Sequence, residues 1–326
     1  MKRRIFLIAF STGAIGTPFL SFAQQPAKLV RIGFLGAVAA PVYARRVDAL
    51  RAGLRDLGYV EGKNLAIEFR WAEGNYQQLP KLAAELVASK VDVIVTHGTP
   101  GSRAAKQATS TIPVVMAAVG DPVALGIVAS LARPGGNITG STIFSLEMYG
   151  KRLELLKEVF PRTRQVAVLV NSDNPVNEVV LPALEAAAGK LGVAIQRFEV
   201  RQPGDFDKAF ATMAKARVDG LFVPEDAMLS ANARAIAEAA IKLRLPSVSA
   251  RDVVKDGYLM GYGVDNADLY RRAATFVDKI LKGAKPGDLP IERATKFELV
   301  VNNRTAKAIG FKTPQWLLLR ADEVIE

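Results

Sequence analysis

The chain has 326 residues, half of them hydrophobic, with 43 Lys and Arg against 32 Asp and Glu, one His and no Cys. That length is enough for two domains with substantial cores. The lack of cysteine excludes a disulfide scaffold, and a single histidine leaves a metal site of the usual several-ligand kind without donors, so neither a metal nor another cofactor is expected.

Met1-Lys2-Arg3-Arg4 is basic, and the apolar run from Ile5 to Phe22 is broken by Gly13, Gly16, Thr17 and Pro18 before it closes on Ser21-Phe22-Ala23. This is the tripartite pattern of a secretory signal over residues 1–23, cleaved after Ala23. A membrane anchor would need roughly 20 continuous apolar residues. With no cysteine to carry a lipid, the expected product is soluble, and a Gram-negative periplasm is the expected compartment. Cleavage leaves 303 residues and lowers the formal charge from +11 to +8. The remaining basic residues are interleaved with acids, as in Arg45-Arg46-Val47-Asp48 and Arg251-Asp252, which reads as a mixed solvated surface and not a nucleic-acid patch.

From the cleavage site onward the chain reads β-α-β-α-β. Val30–Leu35 is β-rich, Ala44–Leu57 is helical through Val47, Leu50, Leu54 and Leu57, and Asn64–Phe69 alternates as a strand. Tyr76–Ser89 is helical and leads into the strand Val91–Val95. The same order returns as strand Gln165–Val170, helix Val179–Leu191, strand Ala194–Val200, helix Asp207–Ala216 and strand Val218–Val223. Details repeat as well: Leu57-Gly58 matches Leu191-Gly192, and Lys90-Val91-Asp92 matches Arg217-Val218-Asp219. Ile112–Ala117 likewise matches Leu245–Ala250. The expected fold is α/β, two Rossmann-like doubly wound parallel-sheet lobes.

Ala132–Thr142, with Pro134-Gly135-Gly136 at its turn, is expected to carry the chain between the lobes, Leu259–Asp265 to bring it back, and Ala294–Val301 to cross again. Three such crossovers make a hinge. The lobes are then 24–141 plus about 263–293, and 142–262 plus about 294–326.

Ligands of open parallel sheets collect beyond the carboxyl ends of the strands. The loops there hold His97, Gly98, Thr99 and Asp121 in the first lobe, and Asn171, Asn174, Glu225, Asp226 and Ser249 in the second; the crossovers add Ser141, Thr142 and Tyr262. Helix N-termini at Thr99 and Asn174 would welcome a carboxylate. Asp121, Glu225 and Asp226 suit an ammonium, with Asp121 and Asp226 expected to face each other. Taken singly, Thr99, Asp121, Asn174 and Asp226 read equally well as helix caps or turn formers. His97 follows a strand directly and is open to ligand contact or simple loop packing. Gly98-Thr99-Pro100-Gly101-Ser102 is not a nucleophile elbow, and neither G-x-G-x-x-G nor a phosphate-binding loop occurs, so no catalytic residue is expected.

Val119–Gly126 with its Asp121-Pro122-Val123, and Ala132–Gly140 with its Pro-Gly-Gly-Asn-Ile-Thr-Gly, resemble the ABC-transporter substrate-binding family that includes the tryptophan-binding, TrpX-like proteins. Val223-Pro224-Glu225-Asp226, Tyr262-Gly263-Val264-Asp265 and Thr295–Asn302 are similar to it too. The resemblance implies a type I periplasmic-binding fold and delivery of a solute to an ABC permease with its ATPase at the inner membrane. It also implies aromatic amino acids as ligands, with binding elements at Thr99, Asp121, Ser141, Asn171 and Asp226. The first loop, Ala37-Val38-Ala39-Ala40, departs from that by being apolar, which leaves an aromatic or other hydrophobic carboxylate open.

The expected function is therefore capture of a small organic solute by a monomeric binding protein that is not an enzyme. The rivals are a two-lobed ligand sensor for a signalling partner and an exported enzyme, for which no constellation is present. A two-lobed repressor would begin with a helix-turn-helix where the signal stands. N-terminal sequencing of the protein from a periplasmic extract should begin at Gln24; Met1 retained on cytoplasmic material would refute export.

Overall fold

The computed structural model describes residues 29–143 and 146–326, so the signal segment 1–23 lies outside the described residues. The first lobe opens with β1 (Val30–Gly36), α1 (Ala40–Asp56), β2 (Leu65–Trp71), α2 (Leu79–Ala88), β3 (Val93–His97), α3 (Gly98–Ala108), β4 (Val114–Val119) and β5 (Ile138–Thr142). The second follows with α4 (Leu146–Val159), β6 (Gln165–Asn171), α5 (Asn177–Lys190), β7 (Ala194–Val200), α6 (Phe206–Ala216), β8 (Gly220–Phe222), α7 (Ala227–Ala231), α8 (Ala233–Lys242), β9 (Ser247–Ser249) and β10 (Met260–Gly263). α9 (Asn266–Leu281) and β11 (Glu292–Arg293) return to the first lobe. β12 (Glu298–Asn302), α10 (Asn303–Ala308), α11 (Gln315–Arg320) and β13 (Glu323–Ile325) complete the second.

The first sheet runs β11-β5-β4-β3-β1-β2, parallel throughout, and the second β13-β12-β10-β9-β8-β6-β7, with the β10–β12 pair antiparallel. Stripped of their edges, both lobes have the order 2-1-3-4-5 of a doubly wound sheet. The order in which strands are added reverses beside β1 and beside β6, and a crevice opens at the carboxyl ends of the strands there. β4, VVMAAV, is buried along its whole length, as expected of a strand covered by helices on both faces.

The sequence echoes have physical causes. Lys90 and Arg217 each end a helix in the left-handed conformation, φ 54° in both. The aspartate two residues on ties down the start of its lobe's first strand. Asp92 Oδ2 accepts from Arg31 N at 2.8 Å, and Asp219 Oδ2 accepts from Arg164 N and Gln165 N at 2.7 and 2.9 Å. α9 lies on α1 across Gly53, where a Cβ would meet Arg271 O at 2.7 Å, so a glycine is required for that approach.

Some boundaries differ from expectation. The helix read from Tyr76 splits into a 3-10 turn, Tyr76–Gln78, capped by Asn75, and α2, because Pro80 starts a new helix. β8 is only Gly220–Phe222, since Asp219 is turned back toward β6.

Gly140 in β5 has φ +136°, and a Cβ there would collide with the backbone of Met116 on the neighbouring strand. Gly140→Ala should lower stability by about 2–4 kcal/mol in urea unfolding, whereas Gly62→Ala, also left-handed but with open space around it, should cost about 1 kcal/mol. Equal effects would refute the close approach as the cause.

Candidate functional site

Between the lobes, at the carboxyl ends of both sheets, lies a cavity of about 60 Å³, the liquid volume of about two water molecules. The first lobe contributes Ala37 after β1, Arg46 from α1, Tyr76 after β2, the β3–α3 junction His97-Gly98-Thr99, and Gly120 after β4. The second contributes Tyr149 from α4, Asn174 and Val176 before α5, Glu225 and Asp226 after β8, and Asp252 and Val253 after β9. Asn266 opens α9 at the hinge.

Asp226 is the most heavily engaged group. Its Oδ1 accepts from Leu229 N at 2.8 Å, which caps α7. Its Oδ2 accepts from Tyr76 Oη at 2.9 Å, Asn174 Nδ2 at 2.9 Å and Asn171 Nδ2 at 3.2 Å. All four donors are neutral, and among the described residues no cation pairs with it. Burial pushes the Asp226 carboxyl up from its ordinary value, and the hydrogen bonds oppose that shift. Tyr76 belongs to the first lobe, and its hydroxyl also accepts from Met228 N at 3.1 Å, so one side chain ties the lobes together. Arg46–Asp252 at 3.9 Å and Arg103–Glu178 at 3.7 Å also cross the cleft. The lobes are closed.

Glu225 is compensated from within its own lobe: the fully buried Arg152 forms a two-pronged pair with it and donates Nε to Tyr262 O at 2.6 Å. The same guanidinium lies 5.4 Å from the centre of the Tyr149 ring. On the opposite wall, α3 starts at Gly98 with no side-chain hydrogen bond capping it, and its first residues Gly98, Thr99 and Pro100 line the cavity.

Of the expected residues, His97, Gly98, Thr99, Asn174, Glu225 and Asp226 line the cavity, and Asn171 sits one layer behind through Asp226. The expected opposition of Asp121 and Asp226 does not occur. Asp121 accepts from Val123 N and Ala124 N at the surface of its own turn, and Tyr76 stands opposite Asp226 instead. Thr142 donates to Val119 O and Gly120 O, and Ser249 to Val223 O, each holding strand ends together behind the wall. Ser141 is buried in β5, and Tyr262 stacks on Phe297 at 5.9 Å in the hinge. Asp252 comes from the expected loop Ser249–Asp252, whereas Arg46, Tyr76, Tyr149 and Asn266 lie outside the residues expected from the sequence. Tyr76 carried a signal, since it lies just past a strand end, while Arg46 and Tyr149 lie on helix faces whose aim depends on lobe docking.

Two doubly wound lobes closing on a cavity by a triple crossover, with ligand-facing groups and no catalytic constellation among the described residues, define a solute-binding clamp. The chain matches the family model for ABC transporter substrate binding proteins over residues 31–325 and belongs to that family, whose members bind solutes for ABC permeases and are not enzymes. It is 28% identical over 287 residues to a tyrosine-binding protein of Clostridioides difficile (strain R20291), covering 87% of this chain and 82% of that one. A Streptococcus pneumoniae ABC domain in complex with L-Trp superposes with a TM-score of 0.84 at 26% identity, covering 91% of this chain and 99% of that one. A ligand-free, open substrate-binding protein with adhesive properties from Clostridium difficile gives 0.65 at the same identity and coverage. The higher score agrees with the closed lobes seen here. No helix of the described residues is long and apolar enough to cross a membrane.

His97 is partly buried with Nδ1 enclosed; desolvation, then the Arg46 charge, hold its pKa well below the usual 6.5. The folded protein therefore keeps it neutral while the unfolded chain protonates below pH 6.5, so its contribution to stability is lost as pH falls, by at most about 1.4 kcal/mol per pH unit. Melting curves between pH 7 and 5 should show a steeper acid loss for the wild type than for His97→Gln; parallel curves would refute the neutral buried imidazole.

Proposed function

We propose that this protein captures an aromatic amino acid in the periplasm and hands it to an ABC importer. The observation that carries the reading is the Asp226 carboxylate, buried among neutral donors without a cation, on the lobe opposite the uncapped start of α3. An amino acid supplies what both lack: its ammonium would neutralise Asp226, and its carboxylate would take the N–H groups of α3 with the Thr99 hydroxyl beside them. Tyr149, Ile143, Val119, Val176 and Val253 provide apolar wall for a ring. The tyrosine- and tryptophan-binding relatives support the same class. We read the protein as a monomer, and the leader pattern of residues 1–23 supports the periplasm.

Because the ligand would touch both lobes only when they close around it, binding should shift the lobes toward closure by its differential affinity for that state. A cavity of about 60 Å³ is smaller than an aromatic amino acid, so the ligand-bound cleft is wider than the one seen here. Isothermal titration of the wild type with L-tyrosine and L-tryptophan should show binding, and Asp226→Asn, which keeps a capping oxygen for α7, should weaken it about 30-fold or more, as expected when one partner of a buried charge pair is lost. No binding of either amino acid, or an unchanged affinity in Asp226→Asn, would refute this reading.

A further inference from the structure

Among the described residues five buried side-chain atoms have no hydrogen-bond partner: Tyr43 Oη, His97 Nδ1, Ser141 Oγ, Asn266 Oδ1 and Tyr270 Oη. Four of the five gather at one wall of the cavity. The His97 ring lies 5.6 Å from that of Tyr43 and 5.5 Å from that of Tyr270, and Asn266 precedes Tyr270 by one turn on the same face of α9. Arg46 lies close by, 5.3 Å from the centre of the Tyr43 ring, but makes no well-formed hydrogen bond to either hydroxyl. Burial pushes the Tyr43 hydroxyl up to about 12 and that of Tyr270 well above its ordinary value, so both keep their protons. Of the four, His97 and Asn266 reach the cavity itself.

The orientation of Asn266 is settled by its neighbour. Its Nδ2 lies 3.0 Å from Asp252 Oδ2, and a carboxylate can only accept, so the amide NH₂ must face Asp252 and the oxygen must turn away from it. Asn266 thus lines the cavity with an acceptor, Oδ1, that no group among the described residues satisfies, and His97 lines it with a neutral imidazole whose Nδ1 is likewise unpaired and able to donate or accept. Leaving such groups unpaired is costly, and buried polar groups in native proteins nearly always find a partner.

We propose that Asn266 and His97 are specificity residues that read a hydrogen-bonding group on the ligand's ring, so that the site selects aromatic amino acids bearing an O–H or N–H over a plain phenyl side chain. The proposal rests on the aromatic amino-acid reading of the site. A phenol hydroxyl donates and accepts and can answer both groups; an indole N–H answers Asn266 alone. An unsubstituted ring answers neither and strands both in a closed cavity. A site built to bond a substrate hydroxyl rejects the analogue lacking it for that reason.

The test is isothermal titration of the full mature chain with L-tyrosine, L-tryptophan and L-phenylalanine, on the wild type, Asn266→Ala and His97→Phe, with melting curves to establish that each variant is folded. The wild type should bind tyrosine at least tenfold more tightly than phenylalanine, with tryptophan between. Asn266→Ala should lose tenfold or more for tyrosine and tryptophan and less than threefold for phenylalanine. His97→Phe should weaken tyrosine selectively. Phenylalanine bound as tightly as tyrosine by the wild type would overturn the proposal even if neither variant folds, and would assign the unpaired atoms to water while leaving the aromatic amino-acid reading intact. A uniform loss for all three ligands in a folded Asn266→Ala would overturn it as well. If the wild type binds none of the three, the functional reading falls and this inference falls with it.

Discussion

The buried carboxylate of Asp226 is the interaction on which the site depends. Its two oxygens hold the start of α7, the loop after β6 through Asn171 and Asn174, and Tyr76 of the other lobe. Hydrogen bonds to a charged group are each worth about 1.5–3 kcal/mol, and they offset part of the desolvation of a carboxylate that no cation among the described residues neutralises. Opening the lobes removes Tyr76 from that set. An ammonium arriving beside Asp226 would strengthen the same cluster, so ligand binding and lobe closure draw on one group.

A second charged cluster sits where the chain crosses between the lobes. Arg251, 14% exposed at its side chain, meets Glu298 at 2.9 Å and both Asp252 and Asp265 at 3.3 Å. Asp265 caps α9 just after the second crossing, and Glu298 begins β12 just after the third. From the first lobe, Arg45 reaches Asp265 at 2.8 Å and Arg46 reaches Asp252 at 3.9 Å. Asp252 also accepts from Asn266. The cavity wall and the hinge thus share a carboxylate, which gives the hinge a direct physical contact with whatever occupies the cleft.

The repeated β-α-β-α-β order was legible in the chain because its causes are local. Periodic apolar residues define each element, and Lys90-Val91-Asp92 and Arg217-Val218-Asp219 each encode a left-handed helix end followed by an aspartate that ties a strand. Positions just past strand ends were legible for the same reason: in a parallel sheet the residue after the last strand position is at the carboxyl edge whatever the rest of the chain does. His97, Gly98, Thr99, Glu225 and Asp226 were found that way. Asp121 satisfied the same rule and still failed to reach the cavity, because a short turn let its carboxylate bond the next two backbone amides at its own turn.

By itself the sequence determined the doubly wound lobes, the number of crossings, the leader pattern and the loops from which a ligand site had to be drawn, since each follows from periodicity, turn chemistry or position along a strand. Which side chains meet was decided by the tertiary structure alone. Tyr76 and Asp226 are 150 positions apart and touch only because the lobes close. Arg46 and Tyr149 face the cavity from the sides of helices whose rotation is set by packing, α1 against α9 and α4 beneath β9 and β10. Asn266 turns its oxygen inward because a carboxylate on the other lobe takes its NH₂ group. Contacts across a cleft carry no local signal, because they depend on the relative placement of two lobes.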